Sequence, residues 1–337
     1  MKNVLAVLIP NGSSFRRTEI EVLSAAKRIA DELGGAMSAT ILGSVDPSWN
    51  QSCASYGASV VYRVASEALS SYQNDLYTAA LQQIQSVAHA DLILLPSTTY
   101  GMEIVPVFAY RIGASATMDC VGLKGDPSDG SVTITKPVYG GKANSELLAK
   151  SGPVVIAMRM RSVVPATAAG ERDCNIVDVP LALGATKART KIVERLSEDT
   201  GATKLEDARV IVSGGRGLGG PEAFADLTAL AGMLGGTIGA SRAACDQGWV
   251  PASLQIGQTG KKVAPDLYLA IGISGASQHM VGIAGARHIV AINKDAKAPI
   301  FQMAACGVVD DFRSFLPQFT AALREYKAKN QGSTSGQ

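Results

Sequence analysis

Four loops in the second half of the chain combine glycines with polar side chains, and each follows a short apolar run. Their sequences are GGRGL at residues 214–218, GASR at 239–242, GQTGK at 257–261 and SGASQH at 274–279. In a parallel α/β sheet, the loops at the carboxyl ends of successive strands meet in one crevice. These four loops therefore predict one site for an extended ligand that carries phosphate groups.

The first of these loops also matches the dinucleotide-binding pattern GxGxxG, at residues 215–220. Between a strand and a helix, such a glycine turn can place a pyrophosphate over the helix N-terminus. An NAD site would also need an acidic residue at the end of the following strand, and this chain has Ser241 and Arg242 there. The pattern therefore disfavours simple NAD binding, and a turn that serves only strand-to-helix packing is the alternative interpretation.

Arginine follows two of the predicted strands, at Arg216 and Arg242. A guanidinium is always charged and presents planar donors, so it suits either a phosphate or a ring that gains negative charge. For a single arginine, a surface or inter-domain ion pair would be the better interpretation. Two arginines at corresponding strand ends favour a binding site.

Glutamine, threonine and histidine side chains occur in the last two loops. Gln258 and Thr259 lie between glycines, so their backbone can approach a ligand closely; an ordinary polar turn is the alternative. Gln278 and His279 open a predicted helix, whose N-terminus favours an anion. Taken alone, His279 would be a capping or core residue, but its loop is one of the four that we expect to converge.

The four loops call for a ligand that has a pyrophosphate group and a ring that becomes anionic on reduction. A flavin dinucleotide has both. Reduced flavin carries negative charge near N1 and O2, where a helix N-terminus and a histidine would stabilise it. The number of loops favours FAD over FMN. No catalytic residue is predicted, and no metal site, because the five scattered cysteines form no CxxC pair.

Strands and helices alternate in the first half of the sequence. A helix is predicted from Thr18, with Glu21 as its partner in a capping box, to the glycines at residues 34–35. Further helices are predicted at residues 75–88 and 102–112, and strands at residues 4–9, 38–42, 60–64, 92–96, 132–138 and 154–160. The last two strands have no long helix between them, which indicates a β-rich addition to an α/β domain.

A second series of strands and helices follows. Strands are predicted at residues 209–212, 237–240, 267–273 and 288–292, and helices at residues 221–234, 276–284 and 311–326. Together the two series predict an α/β fold with two doubly wound, Rossmann-like domains, the C-terminal one built on a parallel sheet. A loose, charged segment at residues 183–207 marks the boundary. We expect domains at residues 1–196 and 205–327, and a disordered tail at residues 328–337.

Composition limits the possible partners. The 337 residues are 47% hydrophobic and 18% charged with a net charge of +2, which fits two cored domains and argues against nucleic acid or an anionic membrane. No apolar run approaches the ~20 residues that cross a bilayer. The first residues lack the features of a signal or transit peptide, which favours a bacterial cytoplasmic protein or a trimmed mitochondrial-matrix protein.

From residue 209 to about residue 316, the chain closely resembles the α subunit of electron transfer flavoproteins. The resemblance is carried by VSGGRGL at residues 212–218, GASR at 239–242, QIGQTGK at 255–261, ISGASQH at 273–279 and AINKD at 291–295. Together these motifs are far more specific than any single glycine pattern. Over residues 1–195 the resemblance is looser, and it rests mainly on the βα pattern and on KPVYGGKA at residues 136–143.

The resemblance implies an FAD that is held mostly by the second domain. Around the adenosine, pyrophosphate and ribityl parts it places Arg216, Ser241, Asn293 and Asp311, and around the isoalloxazine ring it places Arg242, Gln258, Thr259, Gln278 and His279. It implies that Thr259 hydrogen-bonds near flavin N5, that His279 faces O2 and that Arg242 raises the potential. The other implied FAD contacts are Ile256, Gly257, Ser274, Gly275, Ala276, Ser277 and Phe312.

Three positions depart from the family pattern. Ser277 stands where an aliphatic residue is usual, Cys306 replaces a common aromatic residue, and Phe312 replaces a smaller aliphatic residue. None of them removes an implied FAD contact, so the expected change is in the packing around the cofactor and in its potential.

The function implied by the resemblance is electron carriage without substrate chemistry. The chain would form a heterodimer with a β subunit, on which residues 1–196 would pack. The pair would carry electrons from flavin dehydrogenases, such as the acyl-CoA dehydrogenases of fatty acid β-oxidation, to a membrane quinone oxidoreductase. One alternative is an electron-bifurcating flavoprotein that uses NADH and a second FAD. Another is a nucleotide-binding module that kept the fold without redox work.

Overall fold

The computed structural model of the chain describes residues 2–9, 15–43, 48–141, 143–170, 172–184, 186–190, 192–194 and 205–331. The chain divides into two compact units, Met1–Leu196 and Ser197–Gln337. Each unit contains a parallel β-sheet with helices on its faces. The fold is therefore α/β with two Rossmann-like units, as the alternation of strands and helices predicted.

The first unit is the larger and carries an antiparallel addition. Its elements are β1 (Asn3–Leu8), α1 (Arg17–Glu32), β2 (Ala36–Ile41), α2 (Ser48–Ser55), β3 (Val60–Arg63), α3 (Asn74–Ala88), β4 (Leu92–Pro96), α4 (Thr99–Ile112), β5 (Ser115–Cys120), β6 (Gly122–Gly125), β7 (Val132–Val138), β8 (Ala143–Ala149), β9 (Val154–Met158) and β10 (Asn175–Asp178). Among the described residues, the parallel sheet has the order β10-β3-β2-β1-β4-β9-β5, and β6, β7 and β8 form a separate antiparallel sheet. This second sheet is the predicted β-rich addition.

The second unit is a parallel sheet with the strand order 2-1-3-4-5. Its elements are β11 (Val210–Gly214), α5 (Ala223–Met233), β12 (Thr237–Ala240), α6 (Arg242–Asp246), β13 (Leu267–Ile271), α7 (Ser277–Ile283), β14 (His288–Ile292), β15 (Cys306–Val308) and α8 (Phe312–Gln331). In the described part, the order across the sheet is β12-β11-β13-β14-β15, with every pair parallel. The order reverses between β11 and β13, and in such sheets ligands bind at that point.

Alternating side chains of β13 build two cores, one on each face of the second unit's sheet. Tyr268 and Ala270 pack on the face covered by α7. Leu269 and Ile271 pack on the other face, against residues of α5 and α8. Because both faces of the strand are buried, its sequence is apolar almost throughout.

Two predictions at helix ends are corrected by the structure. The helix α1 begins at Arg17, and the side chain that caps it is Glu19, which accepts the backbone N–H of Arg16 at 3.0 Å. The predicted capping box of Thr18 and Glu21 is therefore wrong by two residues at both positions, because the N-cap is Arg16 and its acidic partner is Glu19. At the other end of the chain, α8 continues to Gln331, so residues 328–331 are helical and do not belong to a disordered tail. Residues 332–337 lie outside the described residues.

None of the helices in the described part of the chain is both long enough and apolar enough to cross a bilayer.

We expect Asp75→Asn to expose the segment around Arg189 to proteases. Asp75, in the first turn of α3, accepts the backbone N–H of Arg189 at 3.2 Å and pairs with its guanidinium at 2.9 Å. The hydrogen-bonded guanidinium lowers the pKa of the Asp75 carboxyl. Because Arg189 is largely exposed, the pair adds little to global stability, but its loss should let the segment open more often, so tryptic cleavage after Arg189 should rise several-fold.

The rate of this cleavage can be followed by mass spectrometry of the native protein under brief digestion. Asp31→Asn is the matched control, because it removes the exposed ion pair between Lys27 and Asp31 on α1. An equal rate for wild type and Asp75→Asn would show that this pair does not hold the segment.

Candidate functional site

A cavity of about 780 Å³ opens beside the carboxyl ends of β11, β12, β13 and β14 in the second unit. It lies where the strand order reverses, because the chain leaves β11 toward one face of the sheet and β13 toward the other. The predicted residues that line it are Arg216, Ser241, Arg242, Ile256, Gly257, Gln258, Thr259, Ser274, Ala276, Gln278, His279 and Asn293. All four polar-glycine loops therefore contribute to one cavity.

The glycine turn after β11 is explained by packing between two loops. The N–H of Gly215 donates to the Ile271 carbonyl at 2.9 Å, and the N–H of Gly217 donates to the Gly272 carbonyl at 3.0 Å. A Cβ at Gly215 would lie 2.2 Å from the Gly272 carbonyl oxygen. The turn leads into a single 3-10 turn at Arg216–Leu218 and not directly into an α-helix, since α5 begins only at Ala223. For Gly215 the packing interpretation is therefore supported, while Gly217 also lines the cavity.

The loop before β13 packs directly on α7. The N–H of Gln258 donates to the Gln278 carbonyl at 2.7 Å. A Cβ at Gly282 would lie only 2.4 Å from the backbone nitrogen of Gly257. Because no side chain separates them, the loop and the helix approach as closely as backbones can. This approach places Gln258 and Gln278 in the wall of the same cavity.

The charges at the cavity are two arginines and two aspartates. Arg242 pairs with Asp246 at 3.3 Å, and both side chains are exposed. Asp295 also lines the cavity. Arg216 has no ion-pair partner in the described ranges of the chain, and it is exposed at the cavity wall. Arg216 is therefore the cation that is free to pair with an anionic ligand, whereas the charge of Arg242 is partly offset.

Two buried polar atoms of cavity residues lack a hydrogen bond. They are the hydroxyl oxygen of Ser241 and Nδ1 of His279, neither of which has a hydrogen-bond partner among the described residues. Leaving such an atom unsatisfied costs about 1–3 kcal/mol, so native proteins usually satisfy it with a ligand or water. Both atoms therefore indicate a polar ligand in the cavity.

His279 is the third residue of α7, and its side chain is buried and neutral. Burial lowers the pKa of His279 to about 4, and the backbone of Ile256 acts in the opposite direction. Nε2 of the ring lies 2.9 Å from the Tyr268 hydroxyl oxygen. At neutral pH, His279 is thus a hydrogen-bonding group without a charge of its own.

We expect His279 to make the second unit less stable in mild acid. The pKa of about 4 in the folded state lies below the value near 6.5 expected for the unfolded chain, so the unfolded state takes up a proton first as pH falls. Stability is therefore full above pH ~6.5 and is lost as pH falls toward 4. The loss should be about 2 kcal/mol at pH ~5. His279→Gln should remove this part of the pH dependence.

Urea unfolding at neutral and mildly acidic pH measures the effect. In a Trp49→Phe background, Trp249 is the remaining tryptophan of the sequence, and its fluorescence reports on the second unit. His288→Gln is the control, because His288 is exposed at the start of β14. A His279→Gln protein that still lost the same free energy of unfolding between the two pH values would contradict the assignment.

Four predicted residues lie outside the wall of the main cavity. Gly275 is buried beneath it with φ +84°, where a Cβ would lie 2.3 Å from the Ile300 nitrogen. Ser277 is exposed at the start of α7. Asp311 and Phe312 line an adjoining cavity of about 30 Å³, which shares Asn293 with the larger one.

Phe312, one of the three residues that depart from the family pattern, contributes to the hydrophobic core more than to the cavity. Its side chain is 7% exposed and packs in the hydrophobic cluster on the α5 face of the sheet. Cys306, another departure, is an exposed free thiol at the start of β15. Both residues therefore lie away from the wall of the main cavity.

Other cavity residues were not predicted from the sequence. Most of them adjoin a predicted residue or lie in the same loop, so the motifs could have been extended to include them. They are Gly217, Ala243, Asp246, Gln255, Gly272, Ile273, Asp295, Ala298 and Pro299. Asp246 is the exception, because only the helical turn of α6 brings it back beside Arg242.

This combination of strand order, converging loops and unsatisfied polar atoms defines a nucleotide-binding α/β domain. Comparison with known proteins narrows the class. The model of the electron transfer flavoprotein domain matches residues 5–183, and that of the electron transfer flavoprotein FAD-binding domain matches residues 204–284. The chain belongs to the family of electron transfer flavoprotein α subunits, which includes proteins named FixB.

Similar proteins match over nearly their whole length. The electron transfer flavoprotein subunit alpha of Thermoanaerobacterium thermosaccharolyticum is 36% identical, with 91% of this chain and 93% of the relative covered. Protein FixB of Azorhizobium caulinodans is 39% identical, with 90% and 84% covered. The electron transfer flavoprotein subunit alpha of Bacillus subtilis is 32% identical, with 96% and 98% covered.

FAD is the cofactor of the second unit, and the cavity residues fit it. The unpaired guanidinium of Arg216 suits a pyrophosphate. The Ser241 hydroxyl and Nδ1 of His279 are buried groups that need a polar partner. Ile256 and Ile273 supply apolar surface for a planar ring. The donor set and the apolar wall of the cavity are thus those that a flavin dinucleotide requires.

Proposed function

We propose that this chain is the α subunit of a heterodimeric electron transfer flavoprotein. It would carry electrons from flavin dehydrogenases, such as acyl-CoA dehydrogenases, to a membrane quinone oxidoreductase, and it would work with a β subunit. The observation that supports this best is the convergence of the family's motifs on one cavity with unsatisfied polar atoms. The matches of both domain models to one chain agree with it.

The residues of the cavity would divide the work of holding FAD. Bound FAD supplies a ring that accepts and releases electrons. Arg216, Ser241 and Asn293 would bind the pyrophosphate, ribityl and adenosine parts, and Asp311 would act from the adjoining cavity. The isoalloxazine ring would be surrounded by Arg242, Gln258, Thr259, Gln278 and His279.

The ring would thus be held by groups that differ in charge. Arg242 would add positive charge, although Asp246 offsets part of it. His279 would act as a neutral hydrogen-bonding group, because burial keeps the imidazole uncharged at neutral pH. The proposed role of these side chains is to hold the flavin and to set the charge around it, as electron carriage requires.

Reduction under anaerobic conditions tests the proposal. The full chain, purified with its β subunit, is mixed either with an acyl-CoA dehydrogenase and its substrate or with NADH, and flavin absorbance is followed. We expect bleaching with the dehydrogenase and none with NADH. Bleaching by NADH, together with two FADs per complex, would favour the bifurcating alternative. A complex that binds no flavin would contradict both.

A further inference from the structure

A buried tyrosine outside the cavity contacts the histidine that lines the cavity. Tyr268 is the second residue of β13 and is fully buried. Its hydroxyl oxygen is 2.9 Å from Nε2 of His279, and the ring centroids are 6.1 Å apart. Tyr268 does not line the cavity, whereas His279 does. The tyrosine can therefore influence a cavity ligand only through the histidine.

The direction of this hydrogen bond follows from what each group can donate. Burial raises the pKa of Tyr268, so the phenol keeps its proton, and that proton needs an acceptor. The Ser213 hydroxyl acts on this pKa in the opposite direction, but it makes no hydrogen bond among the described residues, so the His279 ring is the hydrogen-bond partner of the phenol in that part of the chain. A neutral imidazole has one acceptor nitrogen and one donor nitrogen, and Nε2 is the nitrogen beside the phenol.

We propose that Tyr268 is a positioning residue: its hydroxyl donates to Nε2 of His279 and holds the imidazole in the tautomer that carries the proton on Nδ1. The nitrogen that then carries the proton, Nδ1, makes no hydrogen bond of good geometry among the described residues, although the Ile256 backbone lies near enough to raise the pKa of the ring. A donor suits the flavin atoms that gain negative charge, whereas a lone pair at the same place would repel them. This inference rests on the proposed place of His279 beside the FAD ring.

The alternative is that Tyr268 only fills the core. Tyr268→Phe separates the two, because phenylalanine keeps the ring and removes the hydroxyl. The sequence contains three histidines, so nitrogen NMR of histidine-labelled protein is simple to assign with His89→Gln and His288→Gln variants. In the full-length, FAD-free chain we expect a protonated Nδ1 and a bare Nε2 in His279. In Tyr268→Phe we expect a mixture of both tautomers.

A second measurement tests the effect on the cofactor. The loss of an oriented donor should weaken FAD binding about 3- to 10-fold in Tyr268→Phe. In a His279→Gln background, the same tyrosine change should have no further effect, because the amide has no ring tautomer to orient. Circular dichroism and urea unfolding check that both variants fold.

The outcomes separate the claims. A protonated Nε2 in the wild type, or an unchanged tautomer in Tyr268→Phe, would overturn the positioning role. If Tyr268→Phe changed the tautomer but not the FAD affinity, the hydrogen bond between Tyr268 and His279 would be supported, but its proposed effect on FAD binding would be wrong. An equal loss of affinity on the His279→Gln background would show that Tyr268 acts through packing. Each of these results can occur whether or not the complex passes electrons to a quinone oxidoreductase.

Discussion

Gly282→Ala is expected to weaken FAD binding about 30-fold or more. The new Cβ would lie 2.4 Å from the nitrogen and 2.6 Å from the Cα of Gly257, and backbone atoms cannot move aside as a flexible side chain can. Relieving this overlap must push the loop that carries Gln258 and Thr259 away from α7. Overpacking of this kind costs about 2 kcal/mol, which corresponds to the stated loss of affinity.

Gly232→Ala is the matched control for this change. Gly232 is also a helical glycine, in α5, and a Cβ there would meet no atom within 4 Å. Alanine is the better helix former, so the control should be as stable as wild type or more so by up to ~1 kcal/mol. Fluorescence titration with FAD measures both variants. Equal affinity of Gly282→Ala and wild type would show that the loop does not depend on this contact.

Arg216→Ala is expected to raise the FAD dissociation constant by roughly 10- to 100-fold. Arg216 lines the cavity and has no ion-pair partner among the described residues, so its charge is available to a phosphate. A charge-assisted hydrogen bond contributes about 1.5–3 kcal/mol, which sets the range. Arg216→Lys should recover part of the affinity, since it keeps the charge but loses the planar fork.

Arg209→Ala serves as the control because it removes a charge at the opposite end of the same strand. Arg209 precedes β11 and is ion-paired with Asp266 at 2.7 Å. Its replacement should leave FAD affinity unchanged. If both arginine variants lost affinity equally, the effect would be one of net charge, and the specific role of Arg216 would be wrong.

The strongly apolar strands could be predicted from the sequence with little error. β4, β7, β12 and β14 have the predicted bounds, because each is a short apolar or alternating run between turn residues. The sheet of the second unit follows from the same signal, since β13 is buried on both faces and reads as a continuous apolar segment. The local sequence pattern therefore predicts the strands whose side chains are mostly buried.

Elements that depend on distant partners could not be predicted. β10 has only the sequence NIVD, and it becomes a strand by pairing with β3, more than a hundred residues earlier. β8 is mostly exposed, so burial gives it no sequence pattern, and it is defined by its ladder with β7. In α2, the buried apolar residues are Trp49, Cys53 and Ala54, which are too few to form a periodic stripe. Sequence pattern carries no signal for such pairings.

The cavity residues that lie in loops after strands could be predicted from the sequence. Residues that contact the site from inside a strand or helix could not. Gln258 and His279 stand in glycine-rich loops or at a helix start, so strand order alone brings them together. Tyr268 reads as an ordinary core residue of β13, and its contact with His279 depends on how α7 packs. The ion pair of Asp246 with Arg242 likewise depends on the short helix α6.

Flavin extraction from two forms of the complex tests most directly whether this cavity holds the electron-carrying FAD. Ala276 is exposed and lines the cavity, so Ala276→Trp should fill it without disturbing the core. We expect one FAD per wild-type complex with the β subunit and almost none in the variant. FAD retained in full by Ala276→Trp, or found in neither form, would contradict the account.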